Sequence, residues 1–420
     1  MVFCMAVSMA ASHARGKKSK DRIFALNSQA QEEAKVLGKD KVINGTLGSI
    51  MDENGDIVFL KAVEQEYLNL PRNEYVAYAP IAGLPEFLDA AISECFGESR
   101  PDAYIEAVAT AGGTGGIHHL VHNYTDQEDT VLTADWYWGA YNQICNDNHR
   151  YLKTYTLFDE NREFNFASFK EEADKLAAKQ ENIVLIFNSP GNNPTGFSLT
   201  DNDWDKVIAY AKDLVSNGKN KVIIACDVAY IDYSGEKQTV RRFFKKFGQL
   251  PKEILVVACY SLSKGFTLYG QRVGAMIGVS SDREIADEFK EVNSITSRAT
   301  WSNICRPAMR TMANIVSNPE KKKAYEEERE GYCELIQERA RIFVEEAKEV
   351  GLPCLPYCGG FFLTIPTEHS EAIVNELTKS HVYIVPLGHG VRVAACSIPK
   401  AKIKGLATKI HDVMKQLGYL

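Results

Sequence analysis

The chain has 420 residues, of which 45% are hydrophobic and 25% are charged, a composition typical of soluble globular proteins. This length exceeds what one hydrophobic core usually accommodates, so we expect at least two structural domains. The formal net charge of -7 argues against a broad basic surface for nucleic acid or for anionic membranes, although a small anion could still bind a local cationic pocket.

The opening sequence MVFCMAVSMAASHARGKKSKDR places its positive charges after the apolar stretch, which is the reverse of a secretory signal. We interpret roughly the first 20 residues as a mobile tail. No apolar run reaches the roughly 20 residues needed to cross a bilayer. The ten cysteines are scattered, and the closest pair, Cys354 and Cys358, has no matching second pair for a zinc site. We therefore predict a cytoplasmic protein with reduced thiols, without a metal site and without a membrane partner.

In the middle of the chain, short apolar segments alternate with longer amphipathic ones. AVATAGGTGGIHHL, residues 107–120, predicts a strand, a glycine-rich turn and the start of a helix. Three later segments predict buried strands: NIVLIF (182–187), KVIIAC (221–226) and EILVVACY (253–260). Between the first two of these, WDKVIAYAKDLVSN has the apolar spacing of a helix. This alternation predicts an α/β fold with a mostly parallel sheet, in which ligands bind beyond the carboxyl ends of the strands.

The last quarter of the chain has a different pattern. PEKKKAYEEEREGYCELIQERARIFVEEAKEVG, residues 319–351, predicts a long exposed helix with a solvated charged face. The segments FFLTI (361–365) and VRVAACSI (391–398) predict strands, and a terminal helix follows. These elements predict a smaller α+β domain.

Each of the three buried strands is followed by polar residues. An Asn-Pro turn or a helix-capping Asp is common when it occurs alone. Because the carboxyl ends of parallel strands meet at one edge of a sheet, we expect the three clusters to lie together. Their polar residues are Asn193 in NNPTG, Asp227 and Tyr230 in DVAY, and Ser261, Ser263 and Lys264 in SLSK.

Two further segments add candidates to this edge. The backbone amides of Gly113, Thr114 and Gly115 could hold an anion at a helix N-terminus. Their spacing is neither that of a dinucleotide-binding GxGxxG nor that of a P-loop. In DWYWGAY, Trp138 could serve as a stacking platform or as ordinary core.

A ligand that needs phosphate donors, a lysine amine, a carboxylate and an aromatic face at one place is pyridoxal phosphate. In NPTG, DVAY, SLSKGFTLYGQRVG and HGVRVAAC, with YAPIAGL and SRATWSN in support, the chain resembles the class I aspartate and aromatic amino acid aminotransferases. These are fold-type I pyridoxal-phosphate enzymes. The resemblance implies a seven-stranded, mostly parallel sheet between helices, plus a smaller α+β domain built from both chain termini. We place the large domain at residues 61–315 and the small domain at 1–60 and 316–420.

The resemblance also implies roles for individual residues. Lys264 would form a Schiff base with the cofactor and then move a proton between substrate and cofactor. Asp227 would keep the pyridine nitrogen protonated, and Asn193 and Tyr230 would hydrogen-bond the phenolic oxygen. Trp138 would stack on the ring, and Asn193 and Trp138 would also contact the substrate. Lys264, Asp227 and Tyr230 would form the catalytic set.

The phosphate would be held by several residues from three segments. Tyr78 would reach the phosphate of the neighbouring subunit, which implies a homodimer with shared active sites. The phosphate-binding residues would be Gly113, Thr114, Ser261, Ser263 and Arg272.

Three further residues would bind the substrate. The resemblance implies that Arg392 binds the α-carboxylate, that Arg298 reaches from the partner subunit to a distal carboxylate, and that Phe361 lines the pocket. The implied activity is ping-pong transfer of an amino group between an amino acid, either aspartate or aromatic or both, and 2-oxoglutarate. The sequence leaves open which donor is preferred.

The chain departs from the family pattern at four positions. Ala140 and Tyr141 replace an Asn-His pair, so the histidine that usually backs the cofactor-binding aspartate is absent. Gly112 replaces a common serine, and Gly360 replaces a methionine. These changes leave the cofactor chemistry in place and predict a wider or altered substrate pocket.

Two other functions are compatible with the same fold and cofactor. One is a lyase or decarboxylase, against which Arg298 argues because dicarboxylate exchange needs a distal cation. The other is a non-catalytic regulatory module that binds the cofactor. The acidic charge argues against the DNA-binding arm that such a module carries.

Overall fold

The structure is a computed structural model that describes residues 8–17 and 22–420. Residues 1–7 and 18–21 lie outside the described part, and with them most of the predicted N-terminal tail. Within residues 8–17, a short 3-10 helix at Ser12–Ala14 buries none of its residues. In the described ranges, no helix is both long and apolar enough to span a membrane. Nine cysteines of these ranges are free thiols, and the cytoplasmic location stays a prediction.

Segments rich in Val, Ile and aromatic residues form the strands, as their preference for a pleated, buried surface predicts. In chain order the strands are β1 Ile43–Asn44, β2 Tyr104–Thr110, β3 Thr130–Ala134, β4 Tyr151–Tyr155, β5 Asn182–Asn188, β6 Lys221–Asp227, β7 Ile254–Ser261, β8 Gly274–Ser280, β9 Phe362–Pro366, β10 Val382–Tyr383, β11 Val385–Pro386 and β12 Gly390–Ala394.

Helices alternate with the strands over most of the chain, and the N-terminal and C-terminal segments are also helical. In chain order the helices are α1 Arg22–Leu37, α2 Lys61–Leu68, α3 Arg72–Val76, α4 Pro85–Phe96, α5 Gly112–Tyr124, α6 Ala140–Asp147, α7 Phe166–Ala177, α8 Asp201–Val215, α9 Leu262–Gly265, α10 Arg283–Thr300, α11 Arg306–Ser317, α12 Pro319–Val350, α13 Ser370–Thr378, α14 Lys400–Ile403 and α15 Leu406–Gln416.

The large sheet has seven strands in the order β2-β8-β7-β6-β5-β3-β4. Strands β4, β3, β5, β6 and β7 run parallel, and β8 is antiparallel to both of its neighbours. Residues of β5 alternate between two hydrophobic clusters, with Ile183 and Leu185 in one and Val184 and Ile186 in the other. Because both faces of the sheet are covered, its central strands are continuously apolar. The predicted α/β fold with a mostly parallel sheet is confirmed.

Local sequence explains where the best-defined helix begins. The side chain of Thr200 accepts a hydrogen bond from the Asp203 amide, and the Asp203 carboxylate accepts one from the Thr200 amide. This capping box satisfies two free amides, so α8 starts at Asp201, ahead of the predicted segment. The predicted strand at residues 391–398 is shorter than expected, because β12 ends at Ala394 and a 3-10 helix follows at Ala395–Ser397.

A second hydrophobic core joins the two ends of the chain. Leu26 and Ala30 of α1 share it with Phe343 of α12 and with residues of α15 such as Ile410. Its strands form a three-stranded antiparallel sheet, β11-β12-β9, and a parallel pair, β1-β10. The bounds 1–60 and 316–420 for a separate smaller domain remain a prediction.

Candidate active site

The polar residues that follow β5, β6 and β7 lie at one edge of the large sheet. The register pairs Asn188 with Asp227 and Asp227 with Cys259, so β5 and β6 end level and β7 extends two residues further, to Ser261. A cavity of about 490 Å³ opens at this edge. The predicted site residues among its lining are Gly113, Thr114, Trp138, Asn193, Asp227, Tyr230, Ser261, Ser263, Lys264, Arg272 and Arg392.

A larger cavity of about 700 Å³ lies at the opposite edge of the sheet. It is lined by Asn182 and Lys221, which begin β5 and β6. Parallel sheets bind ligands beyond the carboxyl ends of their strands, so the smaller cavity is the candidate active site.

Lys264 lies on the single helical turn α9 that follows β7. The side chain of Ser261 caps this turn by accepting a hydrogen bond from the Ser263 amide at 3.2 Å. The Lys264 Nζ donates a hydrogen bond to the Gly48 carbonyl at 2.6 Å. Burial lowers the pKa of Lys264 to about 8, and the cations of Arg272 and Arg392 add to the shift. A substantial fraction of this amine is therefore neutral near physiological pH, as a nucleophile or a general base requires.

Asp227 ends β6 with its side chain only 6% exposed. Its Oδ1 accepts a hydrogen bond from the Ala229 amide at 3.2 Å, and its Oδ2 accepts one from the Tyr141 hydroxyl at 2.5 Å. Burial raises the pKa of Asp227, and these two hydrogen bonds oppose that rise. The carboxylate thus faces the cavity with neutral donors behind it.

Asn193, Tyr230 and Arg392 form a connected group beside Lys264. The Asn193 Nδ2 donates to the Tyr230 hydroxyl at 3.3 Å, and the Arg392 Nη1 donates to the Asn193 Oδ1 at 3.1 Å. The Arg392 Nη2 donates to the Thr46 carbonyl at 2.8 Å. The guanidinium of Arg392 also lies 4.2 Å from the centre of the Phe362 ring. These contacts hold a cation 5% exposed at the cavity wall.

Hydroxyl groups surround Arg272 at one end of the cavity. Its Nη1 donates to the Ser263 hydroxyl at 3.1 Å, and its Nη2 lies 3.5 Å from the Thr114 hydroxyl. Gly112, at the start of α5, has φ +67°, and a Cβ there would lie 2.8 Å from the Arg272 Nη2. A side chain at this position would therefore be strained and would crowd the guanidinium. The glycine keeps the cationic end of the cavity open.

Trp138 precedes α6 and also lines the cavity. Its ring meets that of Tyr141 edge to face, with 5.6 Å between centroids and an interplanar angle of 85°. The Trp138 carbonyl accepts a hydrogen bond from the Tyr141 amide at 2.9 Å. One turn of chain thus presents an aromatic face to the cavity and a hydroxyl to Asp227.

Three predicted residues do not line this cavity. Tyr78 is 87% exposed, and Arg298 is exposed on α10, where it donates a hydrogen bond to the Ser302 hydroxyl. Phe361 is fully buried, with its ring centre 5.2 Å from that of Tyr230 and 5.2 Å from that of Tyr233. The structure gives the lining position predicted for Phe361 to its neighbour, Phe362.

Sequence reasoning missed several lining residues, some in segments far from the recognised motifs and some inside or beside them. Tyr141 does not line the cavity but donates a hydrogen bond to Asp227 from behind it, at the position of the absent family histidine. Gly48 carried no sequence signal, although a Cβ there would lie 3.6 Å from the Lys264 Nζ. The others missed are Ile23, Phe24, Leu47, Ser49, Asn188, Ala229, Tyr269, Gly270 and Phe362.

The donor set at this site fits pyridoxal phosphate. Arg272 and the neighbouring hydroxyls suit a phosphate dianion, because an arginine beside hydroxyls supplies charge-assisted hydrogen bonds. The buried carboxylate of Asp227 suits a protonated ring nitrogen, and the partly neutral amine of Lys264 suits an aldehyde. All three groups line one cavity.

Comparisons with known proteins show what the whole chain is similar to. The family described as "Aminotransferase class I and II" matches residues 41–410. The mitochondrial aspartate aminotransferase of Xenopus tropicalis is 27% identical over an alignment of 396 residues that covers 89% of this chain and 87% of that protein. A solved aminotransferase from Anaerococcus prevotii is 36% identical, with a TM-score of 0.95, and covers 97% of this chain and 99% of its own.

One solved relative carries the cofactor. The aromatic amino acid aminotransferase of Burkholderia pseudomallei was solved covalently bound to pyridoxal phosphate. It is 20% identical, with a TM-score of 0.77 over 96% of this chain and 100% of its own, which shows a shared fold.

Proposed function

The chain belongs to the aminotransferase class I and II family, and from that membership we propose that it is a pyridoxal-phosphate-dependent enzyme acting on aspartate, aromatic amino acids or both. It would pass the amino group to 2-oxoglutarate in two half-reactions, with the group stored on the cofactor between them. The 27% identity to an aspartate aminotransferase supports this substrate class.

One observation carries the proposal. The amine of Lys264, with its pKa lowered to about 8, lines the same cavity as the buried carboxylate of Asp227 and the guanidinium of Arg272. A nucleophilic amine, a partner for a ring nitrogen and a phosphate site are the three things that this cofactor needs at once.

The residues that would hold the cofactor follow from these contacts. Arg272, Ser261, Ser263, Gly113 and Thr114 would bind the phosphate. Asp227 would pair with the ring nitrogen, and Asn193 and Tyr230 would donate to the phenolic oxygen. When bound, the cofactor supplies a ring that accepts the electron pair left when the α-carbon loses its proton.

The chain's own groups would perform the remaining work. Arg392 would bind the substrate α-carboxylate, because a guanidinium offers two parallel hydrogen bonds to a carboxylate. Lys264, neutral once released from the cofactor, would accept the α-proton and return it one step later. Trp138 and Phe362 would enclose the substrate between aromatic surfaces and exclude water.

The proposal includes a homodimer with shared sites. Val76 and Tyr78 are 71% and 87% exposed, and apolar surface of this kind often marks a subunit contact. Arg298, exposed on α10, could serve a site only if that site belonged to another subunit. Sedimentation analysis tests the dimer. Mixing Lys264→Ala with Arg298→Gln chains tests the sharing, because mixed dimers contain one intact site and should regain activity toward aspartate.

The decisive experiment uses the purified holoenzyme. We expect aspartate, glutamate, tyrosine or phenylalanine to convert the visible absorbance of the bound cofactor to that of its aminated form, and 2-oxoglutarate to reverse the change. Release of ammonia or carbon dioxide without transfer would instead assign a lyase or decarboxylase. Absence of any spectral change with all four donors would overturn the proposed substrate class.

A further inference from the structure

The buried hydroxyl of Tyr141 is committed to the carboxylate of Asp227. Tyr141 lies on α6 and is fully buried, and its hydroxyl donates to the Asp227 Oδ2 at 2.5 Å. Apart from the Ala229 amide, it is the only hydrogen-bond donor to this carboxylate within residues 8–17 and 22–420.

We propose that Tyr141 is a positioning residue of the reaction, whose hydroxyl keeps Asp227 ionised so that the proton between this carboxyl and the cofactor ring stays on the ring nitrogen. The inference rests on the proposed function. The ring nitrogen must be protonated for the cofactor to accept electrons efficiently, so the position of this one proton controls the rate of α-proton removal.

The other groups around Asp227 cannot replace this donor. Within the described residues, neither the thiol of Cys226 nor that of Cys259 donates to the Asp227 carboxylate, whose two donors are the Tyr141 hydroxyl and the Ala229 amide. The Tyr230 hydroxyl instead accepts a hydrogen bond from the side-chain amide of Asn193. Asn188, on the neighbouring strand β5, donates to the backbone carbonyl of Asp227 and not to its carboxylate. Within the described residues, no ion pair involves Asp227, so its hydrogen bonds with the Tyr141 hydroxyl and the Ala229 amide are what oppose the effect of burial.

A phenol suits this task because its own charge state does not change. Burial and the neighbouring carboxylate of Asp227 raise the pKa of Tyr141 well above its ordinary value, so the hydroxyl keeps its proton across the working pH range. The edge-to-face contact with Trp138 and the stacking of Tyr137, 6.4 Å away, fix the ring. The hydroxyl therefore remains directed at Asp227.

Two variants test the proposal. Tyr141→Phe removes the donor and keeps the ring, whereas Tyr141→His restores an N–H donor at the same place. Tyr137→Phe is the matched control, since it removes a hydroxyl from the adjacent stacked ring and leaves Asp227 untouched. Each protein is reconstituted with pyridoxal phosphate labelled with 15N in the ring, and the 15N chemical shift reports whether the nitrogen is protonated.

We expect a protonated nitrogen in the wild type, in Tyr137→Phe and in Tyr141→His. In Tyr141→Phe, a larger fraction of the bound cofactor should have an unprotonated ring nitrogen. The amino-acid half-reaction should slow by about 10- to 100-fold, which is the effect of losing one hydrogen bond to a charged group. The acid limb of the half-reaction should move to higher pH, because loss of the donor raises the pKa of Asp227.

The outcomes separate this inference from the proposed function. A wild-type protein that neither binds the cofactor nor transfers amino groups would overturn the proposed function. A wild type that does both, with an unchanged 15N shift and half-reaction rate in Tyr141→Phe, would overturn the inference alone. If Tyr141→Phe does not fold, Tyr141→His decides, since loss of ring protonation there would show that a donor at this position is not what holds the proton.

Discussion

Arg392 of β12 donates a hydrogen bond to the Oδ1 of Asn193, in the turn after β5, at 3.1 Å. This contact joins the small antiparallel sheet to the carboxyl edge of the large sheet. The cavity therefore takes the cation of Arg392 from one sheet, and Asn193 and Asp227 from the edge of the other. Such a boundary is where ligands are most often bound.

Replacing Arg392 should weaken every amino donor. Arg392→Lys keeps the charge but loses the paired hydrogen bonds to an α-carboxylate, so kcat/KM should fall by about 10- to 100-fold for aspartate and phenylalanine alike. Steady-state kinetics with both donors measures this. Arg283, on α10, has a side chain that is 56% exposed, so Arg283→Lys is the control and should leave kcat/KM unchanged for both donors. A loss confined to one donor would contradict the assignment of Arg392 to the α-carboxylate.

Arg298 should behave differently, because every donor has an α-carboxylate but only dicarboxylates have a distal one. Arg298→Gln should lower kcat/KM for aspartate and glutamate by about 10- to 100-fold and leave aromatic donors nearly unchanged. The ratio of the two specificity constants is the measurement, with Arg283→Gln as the control on the same helix. Equal losses for both donor classes would remove Arg298 from substrate recognition.

The amine of Lys264 should make the stability of the cofactor-free protein depend on pH. Its pKa is about 8 in the folded chain and 10.5 ordinarily, so the unfolded chain binds more protons between these two values. The free energy of unfolding should therefore rise with pH across this window. Urea unfolding of the wild type and of Lys264→Met, compared from pH 7 to 11, isolates this contribution. If the difference in unfolding free energy between the wild type and Lys264→Met stays constant from pH 7 to 11, the amine is not buried as described.

Gly112 should tolerate a methyl group poorly. Gly112→Ala places a Cβ 2.8 Å from the Arg272 Nη2 at φ +67°, so we expect a loss of about 1 kcal/mol in stability and weaker binding of pyridoxal phosphate. Gly331→Ala is the matched control. Gly331 lies inside α12 with nothing near its added Cβ, and alanine there should stabilise by about 0.5–1 kcal/mol.

Both variants are compared by thermal unfolding and by equilibrium dialysis with the cofactor. If Gly112→Ala stabilises the protein as Gly331→Ala does, the backbone conformation at Gly112 does not require glycine. Unchanged cofactor affinity in Gly112→Ala would show that Arg272 can move aside.

The chemistry at the strand ends could be predicted because it is local. Asp227 follows directly on one apolar run, and Lys264 lies on the single turn after another. Each run therefore places its polar residue at the strand end, and the parallel sheet brings these ends together. Phe361 and Phe362 are harder to distinguish, since the strand β9 begins between them and only its register decides which ring faces the cavity. A register shift of one residue moves each side chain of the strand to the opposite face of the sheet, and no sequence pattern in GGFF specifies that register.

The alternation of strands and helices, the parallel core and the residues that could hold a phosphate, a ring nitrogen and an aldehyde were predictable from residue patterns alone. Periodicity and motif spacing carry that information because they act within a few neighbouring residues. The folded chain was needed to show that the hydroxyl of Tyr141 lies behind Asp227 and that Gly48 and the first turn of α1 line the cavity with Lys264. The Tyr141–Asp227 contact joins residues 86 positions apart, and the Lys264–Gly48 contact joins residues 216 positions apart. Such contacts depend on how whole helices and strands pack, which the folded chain specifies as a unit.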